Sequence, residues 1–336
     1  MVGTAMTRLF AMLPFLLLAG CDGIQTPLSP AGDQASALHQ LLMLMTIVCG
    51  VVYGVVLVGI GWSLWRGHNH TTAFGDTPGD DRRLSRGLWT AAAAIVIGLT
   101  VLVVGSFIAD RALFATRGKN AMEVRVTGHQ WWWRIEYRDS TTGRLIETAN
   151  ELHLPLGRTT RLTLGSADVI HSFWVPNVSG KIDMIPGRRN TLDLTPRHLG
   201  WFRGQCSEFC GAQHAHMAFD VKVESPAAFD VWLATQTRPA PPPLDAVAAR
   251  GQAVFAGPCA ACHVVRGTDA SGRAGPDLTH LASRHSIAAG TLPMTRGGLQ
   301  GWIAQPQALK PGTSMPAVSL APADADAVAH YLETLR

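Results

Sequence analysis

The sequence predicts a membrane-anchored, multidomain chain: two transmembrane helices, then an all-β sandwich, then a small all-α domain. Three observations predict it. Residues 41–64 and 87–109 contain no charged side chain, and each run exceeds the roughly 20 residues that span a hydrocarbon core. From about Gly118 short runs alternate apolar with polar and are punctuated by Gly, Pro and Asn, the pattern of sandwich strands. A Pro-rich stretch at 237–244 then separates a last region that has helical patterning at each end, 244–256 and 323–335.

Composition agrees. A chain of 336 residues exceeds the roughly 100–200 of one domain. Charged residues make up 15%, well under the roughly 25% of an ordinary soluble domain. The net charge of +4 is spread along the chain without a run of Lys or Arg, so no nucleic-acid partner is expected.

Residues 1–20 read as a signal peptide, with Arg8 ahead of an apolar stretch at 9–19. Leu18-Ala19-Gly20-Cys21 resembles the lipobox of bacterial lipoproteins, which makes Cys21 the lipid-bearing first residue of the mature chain. An ordinary signal peptide or a first membrane anchor is the alternative. The helical hairpin occupies 38–112, and Trp62, Trp65 and Trp89 sit near its span ends, where amphipathic rings favour the interface. Its loop carries Arg66, Arg82, Arg83 and Arg86 against Asp76, Asp80 and Asp81, so the positive-inside rule puts it in the cytoplasm. Everything after Ala109 is then outside. Cys49 falls mid-span and reads as a small apolar filler.

In the β region, 118–236, strands are expected at 122–126, 145–146, 152–154, 160–164, 169–175, 191–194 and 218–223, with a short closing helix at 227–235. Its strongest signal is Cys206-Ser207-Glu208-Phe209-Cys210-Gly211-Ala212-Gln213-His214-Ala215-His216-Met217. Two thiols, an imidazole and a thioether in so short a span select copper, or zinc. Met217 and an extracytoplasmic β scaffold favour copper; a structural zinc site and a Cys206–Cys210 disulfide are the rivals. His171 upstream is the candidate further ligand. Two thiolates can bridge two metals, each capped by one His and one weaker ligand. Such a pair shares one electron with little change of geometry and keeps no open position for substrate. His216 and His129 fall outside this pattern and read as ordinary histidines.

The last domain, 245–336, carries Cys259-Ala260-Ala261-Cys262-His263, the attachment motif for c-type haem, with His263 as proximal iron ligand. A downstream Met completes a high-potential site. The candidates are Met294 and Met315; the loop Gly312-Thr313-Ser314-Met315-Pro316 resembles the Met loop of class I cytochromes c, which favours Met315 and leaves Met294 as a gap-filling core residue.

The stretch from Leu38 to Thr235 resembles subunit II of the haem–copper respiratory oxidases. The likeness rests on the Cys206–Met217 segment, on His171-Ser172-Phe173-Trp174-Val175-Pro176, on Lys181-Ile182-Asp183-Met184-Ile185-Pro186-Gly187-Arg188 and on Gly128-His129-Gln130-Trp131-Trp132-Trp133. Gly275-Pro276-Asp277-Leu278 and the Met315 loop resemble class I cytochromes c. Together the order resembles a caa-type oxidase subunit whose electron donor is fused to it. The resemblance implies a cupredoxin-like sandwich, a binuclear Cu-A centre and a class I cytochrome c domain. It implies side-chain ligation of copper by His171, Cys206, Cys210, His214 and Met217, with Glu208 giving its backbone carbonyl. The Glu208 carboxylate is then expected to help hold a magnesium ion shared with subunit I. Trp131 becomes the point where electrons enter. Covalent haem c is implied on Cys259 and Cys262, with His263 and Met315 as axial ligands.

The implied function is that of subunit II of a terminal cytochrome c oxidase in the bacterial inner membrane, coupled to proton translocation and inactive alone. Its expected partners are oxidase subunit I, the other oxidase subunits, membrane lipid, and an external donor such as a cytochrome c or a cytochrome bc complex. The short linker replaces bimolecular encounter by a high effective concentration. One departure stands out. Arg86 precedes Trp89-Thr90 where the family often has a Glu at the mouth of a proton path, and the following Pro is absent. The alternatives are a Cu-A subunit of a nitric oxide reductase and a membrane-tethered copper carrier. The haem motif argues against the carrier.

Overall fold

A computed structural model describes residues 22–68, 81–115, 121–139 and 142–336. The leader and Cys21 lie outside the described residues. The chain divides into two compact units: Ser36–Ala115, and a second that joins the residues up to Ala35 with those from Thr116 to Arg336.

Helices α1 (Asp33–His68) and α2 (Asp81–Ala115) dominate the first unit. They run past the expected 41–64 and 87–109 because the polar flanks carry no helix breaker and continue the turn. At about 1.5 Å per residue, 36 residues reach far beyond a roughly 30 Å hydrocarbon core. Their apolar side chains face outward: Val103 is 69% exposed and Leu64 70%. Both helices are long and apolar enough to cross a membrane.

In the second unit ten strands form two five-stranded sheets. The first has the order β3 (Leu145–Ala149), β2 (Trp132–Arg138), β1 (Met122–His129), β5 (Thr160–Ser166), β8 (Asn190–Leu194). The second runs β4 (Glu151–Pro155), β10 (Ala218–Glu224), β9 (Gly200–Cys206), β6 (His171–Trp174), β7 (Ile182–Met184). Pairing is antiparallel except for β1 with β5 and β4 with β10. Period-two alternation places Val124, Val126, Trp133, Ile135, Leu162 and Leu164 inside. This curled, cupredoxin-like sheet structure is the expected one.

Three strands of the sandwich were not expected, β2, β7 and β9. In β9, Trp201-Phe202-Arg203-Gly204-Gln205 lacks a clean apolar period and most of it is half-buried, so periodicity is silent there. Strand β4 departs in the opposite sense. Alternation puts Glu151 and His153 on an exposed face, yet every residue of β4 is buried. Helix α3 (Pro226–Gln236) covers that face, with the Trp232 ring stacked on His153 at 3.8 Å. Ser225 caps α3 by accepting from the Ala228 N–H, and Pro226 takes the first turn.

The C-terminal region is built on α4 (Ala246–Phe255), capped by Asp245, and α7 (Pro322–Thr334). These helices cross at Gly251, where an added Cβ would collide with the Ala327 carbonyl. The intervening segment is more ordered than its Gly and Pro content suggests. It contains α5 (Arg296–Ala304), α6 (Pro306–Leu309) and a two-strand ribbon, β11 (Ser286–Ile287) with β12 (Leu292–Pro293). Phe255, Leu299, Val328, Tyr331 and Leu332 form its core. The Pro-rich linker lies on this region. The Ala240 N–H donates to Arg266 O at 2.8 Å, and His280 Nε2 donates to Arg238 O at 3.1 Å.

Candidate metal centres

The first centre sits where three chain segments meet. His171 opens β6, Cys206 closes β9, and Phe173 pairs with Cys206 across the ladder. Past Cys206 the chain turns through Cys210 into a 3₁₀ turn at His214–His216, and Met217 leads into β10. Two backbone bonds close the loop: Cys206 N–H to Met217 O at 2.9 Å, and Ser207 N–H to Ser172 O at 3.0 Å.

The donor atoms fall into two groups around the sulfurs. Cys206 Sγ lies 3.8 Å from His171 Nδ1 and 3.3 Å from the Glu208 carbonyl. Cys210 Sγ lies 3.6 Å from His214 Nδ1 and 3.8 Å from Met217 Sδ. The two sulfurs are 3.7 Å apart, too far for a disulfide, whose bond is about 2.05 Å. The ligand atoms of His171, Cys206 and Cys210 all lie within 4.8 Å of one another. Soft sulfur and imidazole at these separations fit copper. All three residues are buried, so nothing about the site invites a substrate.

The electrostatics follow from this crowding. The Cys210 thiol donates toward Cys206, which, despite burial, pulls the Cys206 thiol well below its ordinary range and leaves Cys210 well above it. At His171 burial lowers the imidazole pKa, but hydrogen bonds to Cys206 and Asp168 outweigh it, and the net shift is upward.

Sequence reasoning passed over two supporting side chains. Asp168 Oδ1 is 2.7 Å from His171 Nε2, which turns Nδ1 toward the thiols. Gln130 Nε2 donates to Cys210 O at 2.7 Å. The signal available was a carboxylate three residues before the candidate ligand His171. His216 is exposed on the 3₁₀ turn, on no strand face. His129 stacks on Trp132 at 4.5 Å; burial, then Arg134, lowers its pKa to about 4. The Glu208 side chain is exposed.

Of the three consecutive tryptophans, Trp133 is wholly buried in the sandwich core. Trp131, expected as the point where electrons enter and so as an indole open to a donor, is only 8% exposed. Its Nε1–H donates to Cys210 O at 2.9 Å, and its far edge meets the Lys310–Gly312 loop of the C-terminal region.

The second centre is a cavity of about 210 Å³. Cys259, Cys262, His263 and Met315 line it, with Phe255 and Leu299 among its apolar walls. The Cys259 and Cys262 thiols are free. His263 Nδ1 donates to Pro276 O at 2.8 Å, which leaves Nε2 as the free ligand atom. Burial lowers the His263 pKa and so favours the neutral, ligating form. Gly275 is required beside it, because an added Cβ would come within 2.5 Å of His263 Cε1. Gln307 Nε2 braces the Met315 loop through Thr313 O at 2.7 Å and Met315 O at 3.1 Å. Met294 packs on the core and does not line the cavity. The apolar cleft with one oriented imidazole and one thioether fits a haem. Trp131 and Trp132 of the sandwich also line it.

The fold and these sites define a membrane-anchored electron-transfer protein with a copper-type cluster and a cytochrome c module. The family model "Cytochrome C oxidase subunit II, periplasmic domain" matches residues 122–224, and "Cytochrome c" matches 248–336. The cytochrome c oxidase subunit 2 of Alkalihalophilus pseudofirmus is 32% identical, over 96% of this chain and 94% of the relative. That of Bacillus sp. (strain PS3) is 31% identical over 98% and 96%. A crystal structure of the periplasmic domain of cytochrome oxidase subunit II from Bradyrhizobium japonicum covers 36% of this chain and 96% of its own, at 32% identity and a TM-score of 0.34.

This chain belongs to the cytochrome c oxidase subunit II family, with its periplasmic domain fused to a cytochrome c domain as in caa3-type oxidases. Its role lies in a multi-subunit oxidoreductase and is not catalytic alone.

Proposed function

We propose that the chain is the electron-input subunit of a terminal oxidase, receiving electrons at haem c from an external donor and delivering them through a binuclear Cu-A centre to subunit I. The observation that carries this reading is the pair of sulfurs 3.7 Å apart, each with its own imidazole and its own weaker donor. A mononuclear copper site needs one thiolate; this one offers two. When bound, the coppers and the haem supply reversible one-electron chemistry.

In this reading the chain's residues divide the work. His171, Cys206, the Glu208 carbonyl, Cys210, His214 and Met217 would together hold the coppers. Cys259 and Cys262 would tether the haem, and His263 and Met315 would hold its iron. Trp131 lines the haem cleft and hydrogen-bonds Cys210, so its indole spans the interval between the two centres. The Glu208 carboxylate, exposed here, contributes to a magnesium site with subunit I. Residues 22–35 and those beyond 116 lie outside a bacterial cell membrane, Cys21 carries lipid, and the two long helices anchor the chain. Proton translocation follows from family membership, with Arg86 in place of the acid as the open variable in proton uptake.

The test is spectroscopic, on the full chain matured with haem and loaded with copper. An unpaired electron delocalised over two copper nuclei, together with a low-spin His/Met haem, is the expected result. Cys206→Ser should abolish the two-copper signal and spare the haem. A one-copper signal in the parent chain, or copper lost to a mild chelator, would sink the reading.

A further inference from the structure

The Lys310 side chain borders the haem cleft but belongs to neither set of candidate ligands, and it is 2% exposed. Its Nζ donates to Trp131 O at 2.8 Å and to Ala288 O at 3.1 Å. Among the described residues it forms no ion pair. A lysine sealed away from water without a carboxylate is costly, and such groups are retained where their position matters. Burial alone lowers its pKa to about 7, with Cys210 acting weakly in the other direction.

Its two acceptors lie on different domains. Trp131 belongs to the sandwich and stands beside Cys210. Ala288 belongs to the turn between β11 and β12, in the cytochrome region. That turn is strained: Ala288 and Ala289 have φ of 52° and 58°, in the left-handed region that non-glycine residues rarely adopt. The strained turn faces the copper loop. Ala289 O accepts from the Ala218 N–H, next to Met217, at 3.1 Å, and Gly290 O accepts from Arg203 at 3.1 Å. On the other side of Lys310, Pro311 O accepts from Gln213 at 2.8 Å. At Gly312 an added Cβ would lie 3.5 Å from the Trp131 ring. The loop from Lys310 to Met315 is therefore seated on the Trp131 turn, and the lysine ties both to the strained ribbon.

We propose that Lys310 is a positioning residue for electron transfer, fixing the Met315 loop and the 288–290 turn against Trp131 by donating to one carbonyl on each domain. This rests on the relay reading above. It needs only the donor hydrogens of the amine and no proton transfer.

The experiment uses the full chain assembled with its oxidase partners. Photo-triggered reduction of haem c is followed by the rate of copper reduction, in the parent, Lys310→Met and Lys310→Arg. Loss of a bond of this kind predicts a slowing of about tenfold in Lys310→Met. The copper and haem spectra and both midpoint potentials should stay at parent values. Steady-state kcat should fall while KM for a soluble donor holds, because Lys310 is buried away from that donor. Lys310→Arg, which keeps the donors, should recover most of the rate. A Lys310→Met rate within twofold of the parent overturns the proposal, and so does a Lys310→Arg rate no better than that of Met. If Lys310→Met fails to retain both cofactors, Lys310→Gln takes its place, with slowing as support and an unchanged rate as refutation. Trp131→Phe keeps the backbone carbonyl that Lys310 holds. An unchanged rate in that variant would remove Trp131 from the electron route and leave the role of Lys310 standing.

Discussion

The Asp168 carboxylate holds His171 by one oxygen, 2.7 Å from Nε2, while its other oxygen accepts from the Gln130 N–H at 2.7 Å. One acidic side chain thus aims a copper-site imidazole and anchors the turn that presents Trp131. The orientation of the ligand and the approach of the indole are set by the same group.

Asp168→Asn should therefore weaken copper binding without unfolding the sandwich. Loss of a carboxylate behind a ligating imidazole costs about 10–100-fold in metal affinity. Competition with a chelator of known affinity measures it. Affinity within threefold of the parent would mean that His171 is aimed by strand β6 alone.

Gly275→Ala should impair the haem site specifically. The new methyl meets the His263 ring at 2.5 Å, and overpacking of this kind costs about 1–3 kcal/mol. Expected are a lower yield of covalent haem and a shifted iron ligand field in what is attached. Copper spectra should not change. Haem content per chain and the optical spectrum read the outcome.

The buried group of Glu151, His153 and Glu224 gives a pH prediction. His153 sits 2.8 Å from Glu151 Oε1 and 2.7 Å from Glu224 Oε1, so its ring lies between the two carboxylates. Burial pushes the Glu224 pKa up, but the His153 bond and the neighbouring charges of His153 and Lys222 outweigh it and leave it lowered. A lowered carboxylate pKa adds stability above its unfolded value of about 4.3, and that stability is lost as pH falls through the folded value. Glu224→Gln should lower the melting temperature at pH 7, by about 1–3 kcal/mol in stability. The difference from the parent should vanish in acid, below the folded pKa. A difference constant with pH would refute the assignment.

Gly251→Val tests the helix crossing. The added branches run into the Ala327 carbonyl, so α4 and α7 must part. The cytochrome region should unfold at lower denaturant while the sandwich transition stays in place, giving two separated transitions by haem absorbance and by tryptophan fluorescence.

Much of this was legible in the residues themselves, because the chemistry is local. Cys206 to Met217 and Cys259 to His263 are short runs whose spacing already limits the metal, and long uncharged runs announce helices α1 and α2. What the sequence could not convey depends on distant partners. Asp168 and Gln130 look like ordinary loop residues until β1 and β6 bring them to the copper loop. Glu151 and His153 look like an exposed strand face until α3 and the C-terminal region cover it. Lys310 looks like a surface lysine ahead of a Pro-Gly turn. Trp131 reads as exposed because nothing in the turn that carries it shows that a loop some 180 residues later will cover it.

The Pro-rich stretch after α3 lies along the cytochrome region, with the Arg238 and Ala240 backbone bonded to His280 and Arg266. Its first residues are thus held against the cytochrome region, and it works as a strap, not a leash. The grip between the domains comes instead from Lys310, from Glu151 accepting the His285 N–H at 2.6 Å, and from Asp220 accepting the Ser286 hydroxyl. A protease that cut at Pro241 or Pro242 would then produce two fragments that still elute together. Covalent continuity delivers the two domains in equal numbers, and the side chains keep them in place.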